Sequence, residues 1–368
     1  MELEWQELCD DLGPEKVILI REPSVDLGAI LVIDNTAAGP AIGGIRLARD
    51  ITVREVARLA RAMTYKNAAA GLRHGGGKAG IVGDPDMDPD HRDRLVRAFA
   101  VAIRDTNYIP GPDMGIDESC MATIQDEIGR AVGLPQTLGG IPLDTLGATA
   151  YGLAIAAEVA EETGAVGLDG ARVVIQGFGA VGTHAARFLA ERGAVVVAVS
   201  DSRGGLVHQD GLDIDKLILW KSEGQPVREF PSGTPIFPDE MIGLDCEIWI
   251  PAARPDVFTA DNAGEVRAAV VLPGANIAVT AAAEEILFER GVVSLPDFIV
   301  NAGGVICGAA EYAGASATQA FTMIEDKVRA NTREVLTESR TQSVTPMRAA
   351  RDITRRRIVE MMGYRRRF

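Results

Sequence analysis

Between residues 15 and 45 short β-branched runs, VILIRE and LGAILVID, alternate with Gly and Pro breaks, the pattern of strands in a mixed sheet. The period then lengthens. Thr52 and Glu55 make a capping-box pair ahead of VARLARAMTYKNAAAGL, where Val56, Leu59, Ala60 and Met63 recur at helical spacing, so an amphipathic helix is expected. A second helix is expected over residues 92–105, followed by the Gly- and Pro-rich loop YIPGPDMGIDES. These elements make an α/β first domain.

After about residue 145 the rhythm becomes a long Ala-rich helix, then RVVIQ, a glycine turn, another Ala-rich helix and AVVVAVS. That is a βαβ unit with parallel strands. The runs CEIWIP, AVVLPG and DFIVNAGG read as further strands, and their small-residue ends mark a ligand crevice in an open parallel sheet. From about Gln319 the chain turns into a charged helical region that includes Arg355 to Arg357 and ends in Arg365 to Arg367. The expected domains are residues 1–142 and 143–325, with a C-terminal helical segment over 326–368.

Composition narrows the function classes. At 368 residues and 47% hydrophobic content the chain can fill two cores. No apolar run is long enough to span a bilayer, and the N-terminus MELEWQELCDDLGPEK is acidic where a secretory signal is basic, so a cytoplasmic protein is expected. Cys9, Cys120, Cys246 and Cys307 are scattered without any CxxC pair, which suggests core thiols, with neither a disulfide framework nor a metal site. A net charge of −15 argues against nucleic acid as the partner, because phosphate binding wants a basic surface.

The glycine turn carries the first chemistry. GFGAVG, residues 177–182, follows the strand RVVIQ and opens a helix, and Asp201 stands 19 residues beyond Gly182. Gly177 allows a tight turn, Gly179 lets a pyrophosphate approach the backbone, and Gly182 permits close helix packing. Phe178, Ala180 and Val181 complete the loop at the positive end of the helix. The order strand, turn, helix, acid specifies a Rossmann-type doubly wound domain for a dinucleotide. Asp201 would accept hydrogen bonds from ribose hydroxyls and repel a 2′-phosphate, which favours NAD, while the neighbouring Ser202 and Arg203 leave NADP open.

Only six of the 37 basic residues are lysine, so each lysine invites a question. Arginine stays protonated in proteins, whereas burial can tune a lysine to work as a base. Lys66 falls three residues after Met63 and seven after Leu59, which places it on the apolar stripe of the first helix, where a cation needs a carboxylate partner. Lys78 follows three glycines in HGGGKAGI, a segment too flexible for a helix and suited to a close approach of backbone to ligand. Asp113 stands between turn formers in IPGPDMG. Taken singly, each has an ordinary structural reading: a helix-end lysine, a turn lysine and a turn acid.

Taken together, the segments resemble the glutamate, leucine, phenylalanine and valine dehydrogenases. The resemblance rests on GPAIGGIR at 39–46, MTYKNAAAGLRHGGGKAGI at 63–81, GPDMG at 111–115, GATAYG at 147–152, GFGAVG, PGAN at 273–276 and VNAGGV at 300–305. Their order and spacing span most of the chain. The resemblance implies an N-terminal substrate-binding and oligomerisation domain, a closed homo-oligomer, and oxidative deamination of an L-amino acid to a 2-oxo acid and ammonia. By it Lys66 would bind the substrate α-carboxylate, Lys78 would activate water, and Asp113 would move a proton at the amino nitrogen. Gly43 and Gly44 would set backbone against the substrate. Thr149 and Asn276 would contact nicotinamide and ribose, and Asn301 would contact substrate or nicotinamide.

The same resemblance bears on the substrate. Glutamate enzymes of this kind carry Lys where this chain has Ile42, and Ser where it has Gly308. Without those polar anchors an unpaired γ-carboxylate in a closed site is strongly disfavoured, so leucine, valine or phenylalanine is expected. Glutamate is the alternative, through a relocated cation such as Arg46 or Arg73 and a C-terminal segment, RAARDITRRRI, similar to the closing helix of the glutamate enzymes. A catalytically silent nucleotide- or amino-acid-binding paralogue is a rival of another class, and retention of both Lys78 and Asp113 counts against it.

Overall fold

The structure is a computed structural model that describes residues 5–364, so Arg365 to Arg367 lie outside the described residues. The chain divides into two compact units, residues 1–142 with 305–320 and 353–368, and residues 143–304 with 321–352. The C-terminal helical segment is therefore shared between them.

In the first unit, strands β1 (Lys16–Glu22), β2 (Leu27–Asn35), β3 (Ala41–Ala48), β4 (Gly75–Val82) and β5 (Tyr108–Gly111) form a sheet in the order β1-β2-β4-β3-β5. β2 pairs antiparallel with β1 and β4, while β3 pairs parallel with β4 and β5, so the sheet is mixed as the alternation predicts. Both faces are covered. Helix α1 (Val53–Ala69) packs on one face through Val56 and Ala60 against Ile30 and Val32. Helices α2 (Pro89–Ala102) and α3 (Glu118–Ile128) cover the other, where Phe99, Tyr108, Met121 and Ile124 join Leu31, Ile45 and Ala79.

The first turn of α1 differs from expectation in one respect. Thr52 accepts the Glu55 N–H at 3.2 Å, but the Glu55 carboxylate reaches Arg46 at 2.8 Å, so only half of the capping box forms. The glycine run before Lys78 is an interior strand with no room for side chains. A Cβ on Gly76 would lie 2.1 Å from the Thr64 nitrogen of α1, and one on Gly77 would meet the Tyr108 ring at 2.9 Å. At the far end of α1, Arg357 donates to the Ala69 carbonyl at 2.8 Å, and Ile358 packs with Leu12 and Ala68.

In the second unit the sheet order is β12-β11-β10-β6-β7-β8-β9. Its strands are β6 (Arg172–Gln176), β7 (Val195–Asp201), β8 (Gly204–Val207), β9 (Thr234–Ile236), β10 (Ile248–Pro251), β11 (Val270–Val271) and β12 (Val293–Ser294). The five strands from β12 to β7 run parallel, and β8 and β9 add an antiparallel edge. The strand order changes direction at β6, which makes its carboxyl end the switch point where open α/β sheets bind ligands. Its helices before residue 301 are α4 (Leu143–Leu146), α5 (Ala148–Glu162), α6 (Ala180–Ala190), α7 (Ile214–Ser222), α8 (Ala281–Glu289) and α9 (Asp297–Val300), and the helix Ala317–Gln342 adds most of its length from the C-terminal segment.

DFIV, expected as a strand, is helix α9. Pro296 stands at its N-cap with φ −65°, Asp297 Oδ1 accepts the N–H of the next residue, Phe298, at 2.7 Å, and the Asn301 N–H closes on the Asp297 carbonyl at 2.8 Å. The strand is instead the short β12 just before it. Among the cysteines, Cys120, Cys246 and Cys307 are buried but Cys9 is exposed in the N-terminal segment, so it is not a core thiol. Among the described residues no helix is long and apolar enough to cross a membrane.

Candidate active site

The first unit brings Lys78 and Asp113 together. Lys78 lies in the middle of β4, on the face that carries α1, and is buried. Asp113 follows β5 in a tight turn in which it bridges to Ile116. The Lys78 ammonium stands 2.5 Å from Asp113 Oδ2, and Arg46 Nε lies 3.6 Å from the same oxygen. Asp113 Oδ1 accepts the Met114 N–H at 2.8 Å. Burial alone would raise the Asp113 pKa, but the Lys78 ammonium, the Met114 amide and the Arg46 guanidinium outweigh it and hold the carboxyl below its usual range.

Gly44 is glycine because this pair fills the volume a side chain would take. A Cβ there would lie 2.8 Å from the Pro112 carbonyl, 2.9 Å from Asp113 Cβ and 3.0 Å from Lys78 Nζ. Gly43 is as constrained, its Cβ direction blocked by the Gly77 carbonyl at 1.8 Å. The buried Tyr108 hydroxyl lies 2.7 Å from the Gly43 carbonyl and 3.0 Å from that of Gly44, fixing the strand from below. Asn67 adds a second brace, donating to the Gly75 carbonyl at 2.7 Å. Neither Tyr108 nor Asn67 is legible as a site residue, because a single tyrosine ahead of a turn and a helical asparagine carry no spacing signal.

Lys66 sits in the last turn of α1 and is half-buried. The deeply buried stripe of that helix runs through Val56, Ala57, Ala60, Thr64, Asn67 and Ala68, while Leu59, Met63 and Lys66 flank it. Lys66 thus borders the buried face instead of rising from it. The flank still points at the glycine strand, since Met63 Cγ lies 3.4 Å from where a Gly43 Cβ would be. Ile42 forms a buried apolar cluster with Ile109 and Val132, and a Cβ on Gly308 would touch Val132 at 3.7 Å. Ile42 and Gly308 therefore border one wall.

The second unit contains the cofactor motif. Gly177 has φ +95°, and a Cβ on it would meet Ala253 at 2.8 Å. A Cβ on Gly182 would lie 1.9 Å from the Gly177 carbonyl, so α6 can pack this close only with glycine there. Gly179 is the N-cap of α6, exposed, with no side-chain cap, and a Cβ on it would meet no atom within 4 Å. The amide groups of that first turn are available to an anion. Ala180 is exposed and Val181 half-buried beside them. Phe178 is an exception in the motif: its ring is buried and its N–H goes to the Ser200 carbonyl at 2.6 Å, so it supports the turn and does not face a ligand.

Other motif pieces converge on this turn. A Cβ on Gly274 would lie 3.0 Å from Val181, which seats the PGAN loop on the glycine turn. The Asn301 amide donates to Asn276 Oδ1 at 3.1 Å and to the Gly274 carbonyl at 3.4 Å. Asn301 Oδ1 is buried and, among the described residues, has no hydrogen-bond partner, as suits a group that meets a ligand amide. Thr149 Oγ1 lies 3.3 Å from where a Gly304 Cβ would be. The cradle fits a dinucleotide.

Asp201 departs from the expectation of an acid presented to ribose. It forms an ion pair with Lys221 and accepts the Arg203 N–H at 2.8 Å and the Val227 N–H at 3.2 Å. Burial opposes its charge, but these partners hold its carboxyl below the usual range. Ser202 is exposed beside it.

A parallel sheet with a glycine turn at its switch point is the layout of a dinucleotide-binding fold, and the largely buried Lys78–Asp113 ion pair sets an ammonium beside a carboxylate. Residues 139–366 match the family model described as Glutamate/Leucine/Phenylalanine/Valine dehydrogenase, and residues 14–130 match its dimerisation domain. The chain belongs to this family, whose members are NAD(P)-dependent dehydrogenases acting on the CH–NH2 group of amino acids. It is 38% identical over 352 residues to a glutamate dehydrogenase of Aeropyrum pernix, covering 88% of this chain and 84% of the relative. It is 38% identical over 295 residues to the NADP-specific glutamate dehydrogenase of Saccharolobus shibatae, covering 76% and 69%. Among solved structures, the hetero-hexameric glutamate dehydrogenase of Thermus thermophilus in a Leu-bound form aligns with TM-score 0.84 at 29% identity, covering 96% and 91%. The L-tryptophan dehydrogenase of Nostoc punctiforme aligns with TM-score 0.77 at 26% identity, covering 97% and 98%.

Proposed function

We propose that this chain oxidatively deaminates an L-amino acid, with Lys78 and Asp113 as its acid–base pair. The observation that carries this reading is the ion pair at 2.5 Å beside the side-chain-free backbone of Gly44. In this reading Lys66 holds the α-carboxylate, and the glycine backbone lets the amino group approach the pair. Asp113 takes and returns a proton at the amino nitrogen, and Lys78, acting in its free-amine form, takes the proton of the water that adds to the iminium carbon and becomes the ammonium that pairs with Asp113. The nicotinamide coenzyme, when bound, accepts the hydride from Cα. Gly177, Gly179 and Gly182 hold its pyrophosphate, with Thr149, Asn276 and Asn301 at its nicotinamide end.

Two side chains are supported for the substrate. Glutamate is better backed by the relatives, two of which are named glutamate dehydrogenases. The apolar reading rests on the wall of Ile42, Ile109 and Val132 with Gly308 against it, and a neighbouring fold is named a tryptophan dehydrogenase. Both coenzymes are proposed as substrates. Asp201 disfavours a 2′-phosphate, and Lys221 beside it offsets that repulsion. The first unit is proposed to self-associate into a closed homo-oligomer, and Val17 and Leu19 of edge strand β1 are exposed there.

A panel of L-amino acids with NAD and with NADP, monitored for reduced coenzyme at alkaline pH, tests the reading. Turnover of at least one is expected, and none with either coenzyme would favour the silent paralogue. Turnover of glutamate alone would remove the apolar reading. If an apolar substrate is preferred, Ile42→Lys should shift kcat/KM towards glutamate by tenfold or more, on the order of what one anchoring charge contributes.

A further inference from the structure

Arg46 lies two residues beyond Gly44 on β3, on the face of the sheet that carries α1, and its guanidinium bridges two acids. Nη1 donates to Glu55 Oε1 at 2.8 Å, and Nε stands 3.6 Å from Asp113 Oδ2. Its side chain is 22% exposed, against 18% for Asp113 and 10% for Lys78, so the charges interact with limited solvent screening. Glu55 is fixed in turn, because its backbone N–H caps onto Thr52 in the first turn of α1. The result is a row of alternating charge, Glu55, Arg46, Asp113, Lys78, running from the helix to the centre of the sheet.

We infer that Arg46 is a positioning residue for the deamination chemistry: braced by Glu55, it holds Asp113 ionised and aimed at Lys78, and it is not the cation for a substrate side chain. The inference rests on the reading above of Asp113 and Lys78. Two features of the geometry support it. The Arg46 guanidinium already has two carboxylates, which leaves a substrate carboxylate competing with both. Asp113 is bonded through Oδ1 to its own loop, and the second cation acts on Oδ2 through its charge, 3.6 Å away and beyond hydrogen-bond reach, which leaves that oxygen to face Lys78. The groups that face Asp113 are Lys78 from β4, Arg46 from β3 and the buried neutral hydroxyl of Tyr108 from β5. Lys78 is itself a reacting group and Tyr108 anchors the Gly43 and Gly44 backbone, so Arg46 is the one charge of this set that can be removed while both reacting groups stay in place.

The test compares wild type with Arg46→Met, Arg46→Lys and Glu55→Gln. In Arg46→Met the acid limb of the pH profile of kcat/KM should move up by about one unit, since a cation at this distance favours the ionised carboxylate. At neutral pH kcat should fall tenfold or more with little change in coenzyme KM. Arg46→Lys should recover most of the shift, and Glu55→Gln should show a smaller one. An unmoved acid limb with a raised KM for one acidic amino acid would overturn the inference and make Arg46 a specificity cation. A carboxyl-carbon NMR titration, with the Asp113 signal assigned by its loss in Asp113→Asn, gives a second readout that needs no turnover. An Asp113 midpoint unchanged by Arg46→Met would overturn the inference, while a raised midpoint without any deaminase activity would sustain the coupling and remove the deamination reading alone.

Discussion

At the scale of single residues the site is defined as much by missing side chains as by charged ones. Gly44 is the sharpest case, since a methyl group there meets Asp113, Lys78 and the Pro112 carbonyl at 3.0 Å or less. Gly44→Ala is expected to abolish measurable deamination while the protein still binds coenzyme, because the nucleotide cradle lies in the other unit; steady-state kinetics beside coenzyme titration checks this. Wild-type-like kcat in Gly44→Ala would show that the pair is not where the chemistry happens. Lys66, Lys78 and Asp113 were legible because lysine is scarce in this chain and because their motifs fall in order. Tyr108 and Asn67 were not, because what makes them matter is a backbone carbonyl brought near by the fold, 65 residues away for Tyr108 and eight for Asn67; Arg46 was legible as a spare cation, but its contact with Asp113 was not. Asp201 was legible as an acid at a strand end, but its pairing with Lys221, 20 residues on, was not.

Among elements, the helices with caps and apolar periods came out close to expectation, and the errors fall where backbone chemistry overrides hydrophobicity. DFIV has the composition of a buried strand, yet Pro296 and Asp297 start a helical turn. Asp297 also accepts the N–H of Ile277, a β-branched residue held at φ +55° directly after Asn276, so α9 braces the PGAN loop. Facing Asp297 is Glu284 of α8. Burial chiefly, and then the Asp297 charge, push its carboxyl up to about 8 from an ordinary 4.5, against a small opposing pull from Arg351. The unfolded chain releases this proton near 4.5, whereas the folded protein keeps it until about 8. Its contribution to stability is therefore fully present below pH 4.5 and lost as pH rises to about 8. Glu284→Gln, which keeps the shape without the ionisation, should raise the melting temperature more at pH 9 than at pH 5. An equal change at both values would place the charge penalty elsewhere.

For the whole molecule, the α/β class, the mixed first sheet and the parallel second sheet follow from patterns that sequence displays directly: strand alternation, helical period and a glycine turn between them. The discontinuous make-up of the two units does not, because residues 305–320 and 353–368 join the first unit through packing such as Ile358 on Leu12. The identity of the substrate side chain is the least legible property, since it turns on a wall assembled from Ile42, Ile109, Val132 and Gly308, which lie far apart in the chain. The central claim is that the Lys78–Asp113 pair deaminates an amino acid. The most direct measurement is ammonia and reduced coenzyme released from the preferred amino acid by wild type and by Lys78→Ala. Equimolar products from wild type, with kcat lowered by about 10²–10⁴-fold in Lys78→Ala, are predicted from the contribution of a positioned base. Coenzyme reduction without ammonia, or a Lys78→Ala enzyme within a few-fold of wild type, would contradict it.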